Sequence, residues 1–192
     1  MRRPLPPPKV APPTKEDPLD SFDPGDDPRA FRAALGSFAT GVAVVTARDE
    51  AGAPVGITAN SFASVSLDPP LVLWSPARAS RRFGLFTEAR AFAIHVLAHD
   101  QQAVCDAFVR AARGFGQVHW DEGPQGLPLI EGCLSRLICA REAVVDAGDH
   151  AIVLGRVREA QRRDGAPLVF QGGRYGGFLP ATERHPRPEA ET

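Results

Sequence analysis

No run of apolar residues in this 192-residue chain approaches the ~18 that a membrane-spanning helix needs. Neither sign of charge dominates: 22 Lys and Arg stand against 23 Asp and Glu, a formal net charge of -1. Nothing in that balance asks for nucleic acid or a membrane surface as partner. Cysteine is scarce. Cys105, Cys133 and Cys139 form no CxxC pair and stand by no clustered histidines, so no metal site is expected, and their odd number argues against a disulfide framework. They read as buried, reduced thiols of a cytoplasmic protein. Arg2-Arg3 has no apolar stretch behind it, so the N-terminus does not read as a secretory signal. Internal repeats, GxGxxG and Walker loops are all missing, which disfavours Rossmann and P-loop sites.

The length fits one domain, and 43% apolar residues suffice for a sizeable core. Proline marks the ends. Residues 1–27 hold eight of the 19 prolines and few bulky apolar side chains, so they cannot bury enough surface to offset the entropy of ordering. They are expected to be disordered or polyproline-like, as is the tail from Leu179 to Thr192. The ordered domain is expected over residues 28–178.

Asp27 and Pro28 form a helix start, with Gly36 as its stop. Val42–Ala47 and Pro54–Thr58 read as a hairpin, and Leu71–Trp74 as a buried strand. A short helix is expected from Ser80, a strand over Phe92–Leu97, and a helix between a cap at Asp100 and a stop at Gly114. Two long strands follow, Leu134–Val145 and Ala151–Arg158, then a hairpin around Gly172-Gly173. Strands at short intervals with few helices favour an antiparallel barrel over a doubly wound sheet.

The segment from Gly56 to Trp74 is the most telling. Small residues let a ligand approach the backbone, and Thr58, Asn60, Ser61, Ser64 and Ser66 offer neutral hydrogen-bond partners, with no acid or base before Asp68. That set suits a planar heterocycle with polar edges. It equally suits an edge strand and turn whose hydroxyls satisfy backbone groups. Ser75-Pro-Ala-Arg-Ala-Ser-Arg-Arg82 could hold a phosphate with hydroxyls, helix amides and arginines. It could also be a solvated basic loop.

Taken in order, Phe31–Thr46, Gly56–Trp74, Arg90–Leu97, Gly148-Asp-His150 and Gly173-Arg-Tyr-Gly176 resemble the flavin reductase-like family, over roughly residues 29 to 178. These are small NAD(P)H-dependent reductases that feed two-component flavin monooxygenases. The resemblance implies a Greek-key split β-barrel with a few helices, a homodimer with flavin near the subunit interface, and a partner monooxygenase. FMN or FAD, with NADH or NADPH, would be the cofactors. It places flavin contacts at Gly56, Thr58, Asn60 and Ser61, and the flavin phosphate at Ser75, Pro76, Ala77, Ser80 and Arg81. Phe108 could face the flavin or lie in the core. His150 would stand beside the nicotinamide as the catalytic histidine, and Gln171, Gly172, Gly173 and Arg174 would line the nucleotide site. Family members often carry Cys at Ser75, Ser or Thr at Arg82, an aromatic at Gln171 and Asn at His95. A non-catalytic flavin- or haem-binding split barrel, a sensor or carrier, is the alternative from another class.

Overall fold

The structure is a computed structural model that describes residues 19–180. Disorder was expected over residues 1–27 and 179–192; of these, 1–18 and 181–192 lie outside the described residues, while the Asp26 and Asp27 amides donate to the Asp23 carbonyl in a turn before the first helix. Helix α1 (Pro28–Gly36) starts as expected: the Asp27 carboxylate accepts from the amides of Arg29 at 3.1 Å and Ala30 at 2.9 Å. The short β1 (Thr40–Gly41) leads into the hairpin of β2 (Ala43–Arg48) and β3 (Pro54–Ala59). A second hairpin joins β4 (Ala63–Leu67) to β5 (Pro70–Trp74). Then come α2 (Phe83–Glu88), β6 (Ala91–Val96) and α3 (Gln102–Arg110). A small ribbon, β7 (Trp120–Glu122) with β8 (Pro128–Ile130), was not foreseen. The long pair β9 (Ser135–Ala147) and β10 (His150–Arg162) precedes the last hairpin, β11 (Leu168–Gln171) and β12 (Arg174–Gly177).

All pairings are antiparallel, as expected of a mainly β split barrel. Seven strands run in the order β3-β2-β6-β9-β10-β5-β4, and three in the order β1-β11-β12. Val42 stitches the two sheets: its amide donates to the Leu168 carbonyl at 3.1 Å and its carbonyl accepts from Leu97 at 2.9 Å. Around this joint, β2 is buried on both faces. Ala43, Val45 and Ala47 join Trp74, Phe86 and Phe92 in one core; Val42 and Val44 join Leu97, Phe108 and Ile130 in the other. A strand covered on both sides needs a nearly continuous apolar run, and in Val42–Ala47 the one polar side chain, Thr46, is buried and donates to the Pro128 carbonyl at 2.6 Å.

Several boundaries moved. The helix expected from Ser80 begins three residues later, because the Ser80 hydroxyl accepts from the Arg82 amide at 3.2 Å and closes a turn first. Gln101, not Asp100, sits at the start of α3, with no side-chain cap. That helix stops at Arg110 rather than reaching Gly114. Gly114 opens a 3-10 turn in close approach to the helix, where a Cβ would stand 2.7 Å from the Ala107 carbonyl oxygen. His95 is wholly buried on β6, and its Nδ1–H donates to the Val44 carbonyl at 3.0 Å. Burial pushes its pKa down to about 3, so the ring is neutral and serves the sheet.

Candidate active site

Strand β3 lies at an edge of the large sheet, so the polar groups of Gly56 turn away from β2 and need partners elsewhere. The Gly56 amide donates to the Ala112 carbonyl at 2.8 Å, and its carbonyl accepts from Arg82 Nη1 at 3.4 Å. The Phe108 ring lies on its α-carbon: a Cβ at position 56 would stand 2.5 Å from two ring carbons. Thr58 Oγ1 adds a bond to the Cys105 carbonyl at 2.8 Å. Helix α3 is thereby strapped along the edge of β3. Arg82 completes the strap by donating to the carbonyls of Phe108 and Val109 at the end of α3, where positive charge complements the helix dipole. Partial burial holds its guanidinium pKa below the ordinary value.

Beside this strap two clefts meet at Thr58 and Val109. The larger, about 390 Å³, is walled by Ile57, Thr58, Ser80, Arg81, Arg82 and Phe108. The smaller, about 190 Å³, runs on past Asn60 to Val42, Phe170 and Tyr175. No carboxylate lines either of them. Of the three neighbouring arginines, Arg78 pairs with Asp146 and donates to Gly148, and Arg82 is tied to its carbonyls. Arg81 is exposed and makes no hydrogen bond or ion pair among the described residues. At the far wall the Cys105 thiol donates to the Tyr175 hydroxyl at 3.2 Å. Desolvation pushes the Tyr175 phenol up to about 12, so it stays neutral.

A second group of expected site residues gathers next to the first. Ser61 Oγ accepts from the Ser75 amide at 2.9 Å and donates to its carbonyl at 3.3 Å. From there Ser75, Pro76 and Ala77 run onto the start of β10. The Ala151 amide donates to Pro76 at 3.1 Å, Ala77 bridges to His150, and the Arg78 amide donates to Asp149 at 2.8 Å. Gly148, at φ 64°, makes the turn that presents His150. The His150 Nδ1–H donates to Asp149 Oδ1 at 2.7 Å, which holds that carboxyl below its usual range and fixes the ring with Nε2 free. Its side chain is 43% exposed, enough to meet a ligand.

The Gln171–Arg174 tip forms a third group. Gly172 and Gly173 take φ of 55° and 79°, a turn few other residues would adopt. The tip docks on the end of α1: Gln171 Nε2 donates to Ser37 at 3.0 Å, and the Gly172 amide to Gly36 at 2.8 Å. Its flanking cross-strand pair, Phe170 and Tyr175, faces the cleft instead. Those two aromatics, with Val109 and the clamping role of Arg82, escaped sequence reasoning. An aromatic on each side of a glycine pair was the available signal.

The Flavin reductase like domain model matches residues 35–178. The chain belongs to the flavin reductase-like family. It is 54% identical over 154 residues to the FMN reductase (NADH) SmoA of Agrobacterium fabrum, covering 80% of this chain and 88% of that one. It is 42% identical over 156 residues to HsaB of Rhodococcus jostii, the reductase subunit of a flavin-dependent monooxygenase, covering 80% of each. Among solved structures, the Streptomyces globisporus NADH:FAD oxidoreductase SgcE6, in complex with NAD and FAD fragments, superposes with a TM-score of 0.79 at 37% identity, covering 86% of this chain and all of that one. Among the described residues, no cluster of His, Cys, Asp or Glu could hold a metal ion, and no helix is long and apolar enough to cross a membrane.

Proposed function

We propose that the protein is an NADH:flavin oxidoreductase that holds FMN or FAD in the joined clefts beside β3 and supplies reduced flavin to a partner monooxygenase. The observation that carries this reading is the pair of clefts meeting at Thr58, lined by no carboxylate and with Arg81, which has no partner among the described residues, at one end. Flavin carries neutral polar edges and an anionic phosphate, and that lining fits both. When bound, flavin accepts at N5 a hydride from the nicotinamide C4, so the protein need provide no nucleophile. Its residues orient the pair. Thr58 and Asn60 face the ring edge, Ser80 and Arg81 the phosphate, and Phe170 and Tyr175 close the ring end to water.

His150 holds the nicotinamide carboxamide through its free Nε2, with Asp149 fixing the ring plane. NADH is the donor we favour over NADPH. Arg158 and Arg162 lie far along β10, eight and twelve residues from His150, or roughly 27 and 40 Å in an extended strand. Arg163 is committed to the carbonyls of Cys133 and Gly132. None of the three is placed in this protomer to meet a 2′-phosphate beside the site.

A second copy completes the assembly. α1 buries none of its residues, and Leu35 and Phe38 are exposed, as is Leu67 on β4, so a homodimer would cover apolar surface that one chain leaves open. Three free cysteines fit a reducing, cytoplasmic setting.

The test is loss of nicotinamide absorbance with FMN or FAD added. Turnover with NADH is expected. In His150→Ala, kcat/KM for NADH should fall about 10- to 100-fold, or ~1.4–2.7 kcal/mol, while flavin affinity holds. Folded protein that oxidises no nicotinamide with either flavin would overturn the reading.

A further inference from the structure

His150 opens β10 directly after a two-residue turn, Gly148-Asp149. Ala147 and His150 form the last pair of the β9–β10 ladder, and Gly148, with its positive φ, takes the first turn position. No ladder lies beyond that tip. Asp149, which orients the His150 ring, has an exposed side chain, so burial does not fix the pair in place. The grip comes instead from the segment after β5. Trp74 pairs with Val153, and three residues further along each strand Ala77 bridges to His150, so the chain keeps the register of the β5–β10 ladder past the end of β5. The Arg78 amide then donates to the Asp149 carbonyl at 2.8 Å.

The Arg78 side chain crosses the tip. Its Nε donates to the Gly148 carbonyl at 3.0 Å, and its Nη2 donates to the Asp146 carboxylate on β9. Its guanidinium carbon stands 5.3 Å from the centre of the Phe83 ring, at the start of α2. One residue therefore holds both turn residues by their carbonyls and the end of β9 by its carboxylate, and is itself anchored on a helix. Two acceptors are served by one planar fork, which an ammonium on a flexible stem does not reproduce.

We infer that Arg78 is a positioning residue for nicotinamide use: by gripping the Gly148-Asp149 turn it fixes the place where His150 Nε2 meets the nucleotide. The inference rests on the reading of His150 given above. Arg78 lines neither of the clefts assigned to flavin, so its effect is on the donor and not on flavin binding. Orientation is what a protein adds to hydride transfer, and a misplacement of about 1 Å can cost roughly 100-fold in rate. Exposed tips are where a sheet moves most, and the grip removes that freedom. The Arg78 side chain is 41% exposed and that of Asp146 89%, so their pairing adds little to the stability of the fold. Its loss is therefore read in kinetics rather than in melting.

A double-mutant cycle on the full chain tests the assignment, reading kcat/KM for NADH and, separately, FMN affinity by fluorescence titration. Arg78→Met keeps an apolar stem on Phe83 and removes the fork. It should lower kcat/KM for NADH about tenfold, with FMN affinity within about twofold of wild type. Placed in His150→Ala, the same substitution should cost no more than about twofold further, because nothing is left to position. Asp146→Asn, which removes one acceptor from an exposed site, should lower kcat/KM about threefold, and only where His150 is present. Wild-type kinetics in Arg78→Met overturns the inference, as do losses that multiply in the double variant. A parallel fall in FMN affinity overturns it too, since Arg78 would then act at the flavin. Active wild-type protein with an unimpaired His150→Ala variant fails the role of His150 and with it that of Arg78. Folded wild-type protein that oxidises no NADH fails the functional reading as well.

Discussion

At one edge of the large sheet, β3 is covered from within its own chain. Phe108 sits on Gly56, and both backbone groups of that glycine are bonded across the edge, to Ala112 and to Arg82. At the other edge, β4 stands bare: Leu67 is 94% exposed and Val65 47%. An open strand edge with apolar side chains invites pairing or cover. The covered edge is the one that carries the clefts, because a helix strapped alongside a strand leaves a trough between them. The bare edge carries no comparable cavity among those described, and its apolar side chains suit a second copy instead. On the proposed reading the ligand site lies where the chain closes on itself, and a second copy would pair at the edge it leaves open.

The largest expected effect strikes the covered edge. Phe108→Ala removes a fully buried ring from the strap and should cost about 3–5 kcal/mol in urea denaturation. Flavin affinity should fall with it. A stable variant with normal flavin binding would mean that α3 is not what closes β3.

Next comes a pair of adjacent residues with opposite assignments. Arg82→Ala withdraws a charged donor from three carbonyls and should destabilise by about 1–3 kcal/mol, discounted for its partial exposure. Arg81→Ala should change stability by no more than ~0.5 kcal/mol. It should instead weaken FMN binding and flatten its dependence on salt, as loss of an exposed cation facing a phosphate requires. Should the two variants behave alike, the division between clamp and phosphate cation is wrong.

The smallest effect on the single chain belongs to the bare edge. Leu67→Lys adds a charge where nothing covers it and should move the denaturation midpoint little, within ~0.5 kcal/mol. In light scattering it should shift mass from dimer towards monomer. An unchanged dimer would place the second copy elsewhere, with the exposed face of α1 the next surface to try.

Much of the fold could be read directly. Asp27 and Pro28 mark the start of α1 because capping is decided within four residues. Val42–Ala47 reads as a strand because it is short and rich in β-branched residues; that both its faces are buried is shown by the structure. The Gly172-Gly173 turn follows from a backbone geometry that few other residues tolerate. The small ribbon of β7 and β8 was missed, since three-residue strands leave no periodicity to detect. The end of α3 was placed too late because the chain turns extended at Ala111, and Gly114 instead opens a separate 3-10 turn packed closely on Ala107, a contact between segments rather than a local signal.

The candidate site divides along the same line. Thr58, Asn60, Ser61, Ser80 and Arg81 announce themselves by type, as hydroxyls, an amide and a cation free of nearby acids. Their partners do not. That Arg82 clamps α3 while Arg81 stays free, that Phe108 fills the space over Gly56, and that Tyr175 reaches Cys105 across 70 positions are matters of which side chain meets which neighbour. The sequence by itself determined the elements, the family and the chemical character of the lining, because these depend on local preference and residue type. Only the tertiary structure decided which arginine is free and where the clefts join, because identical side chains differ in what surrounds them once distant segments pack.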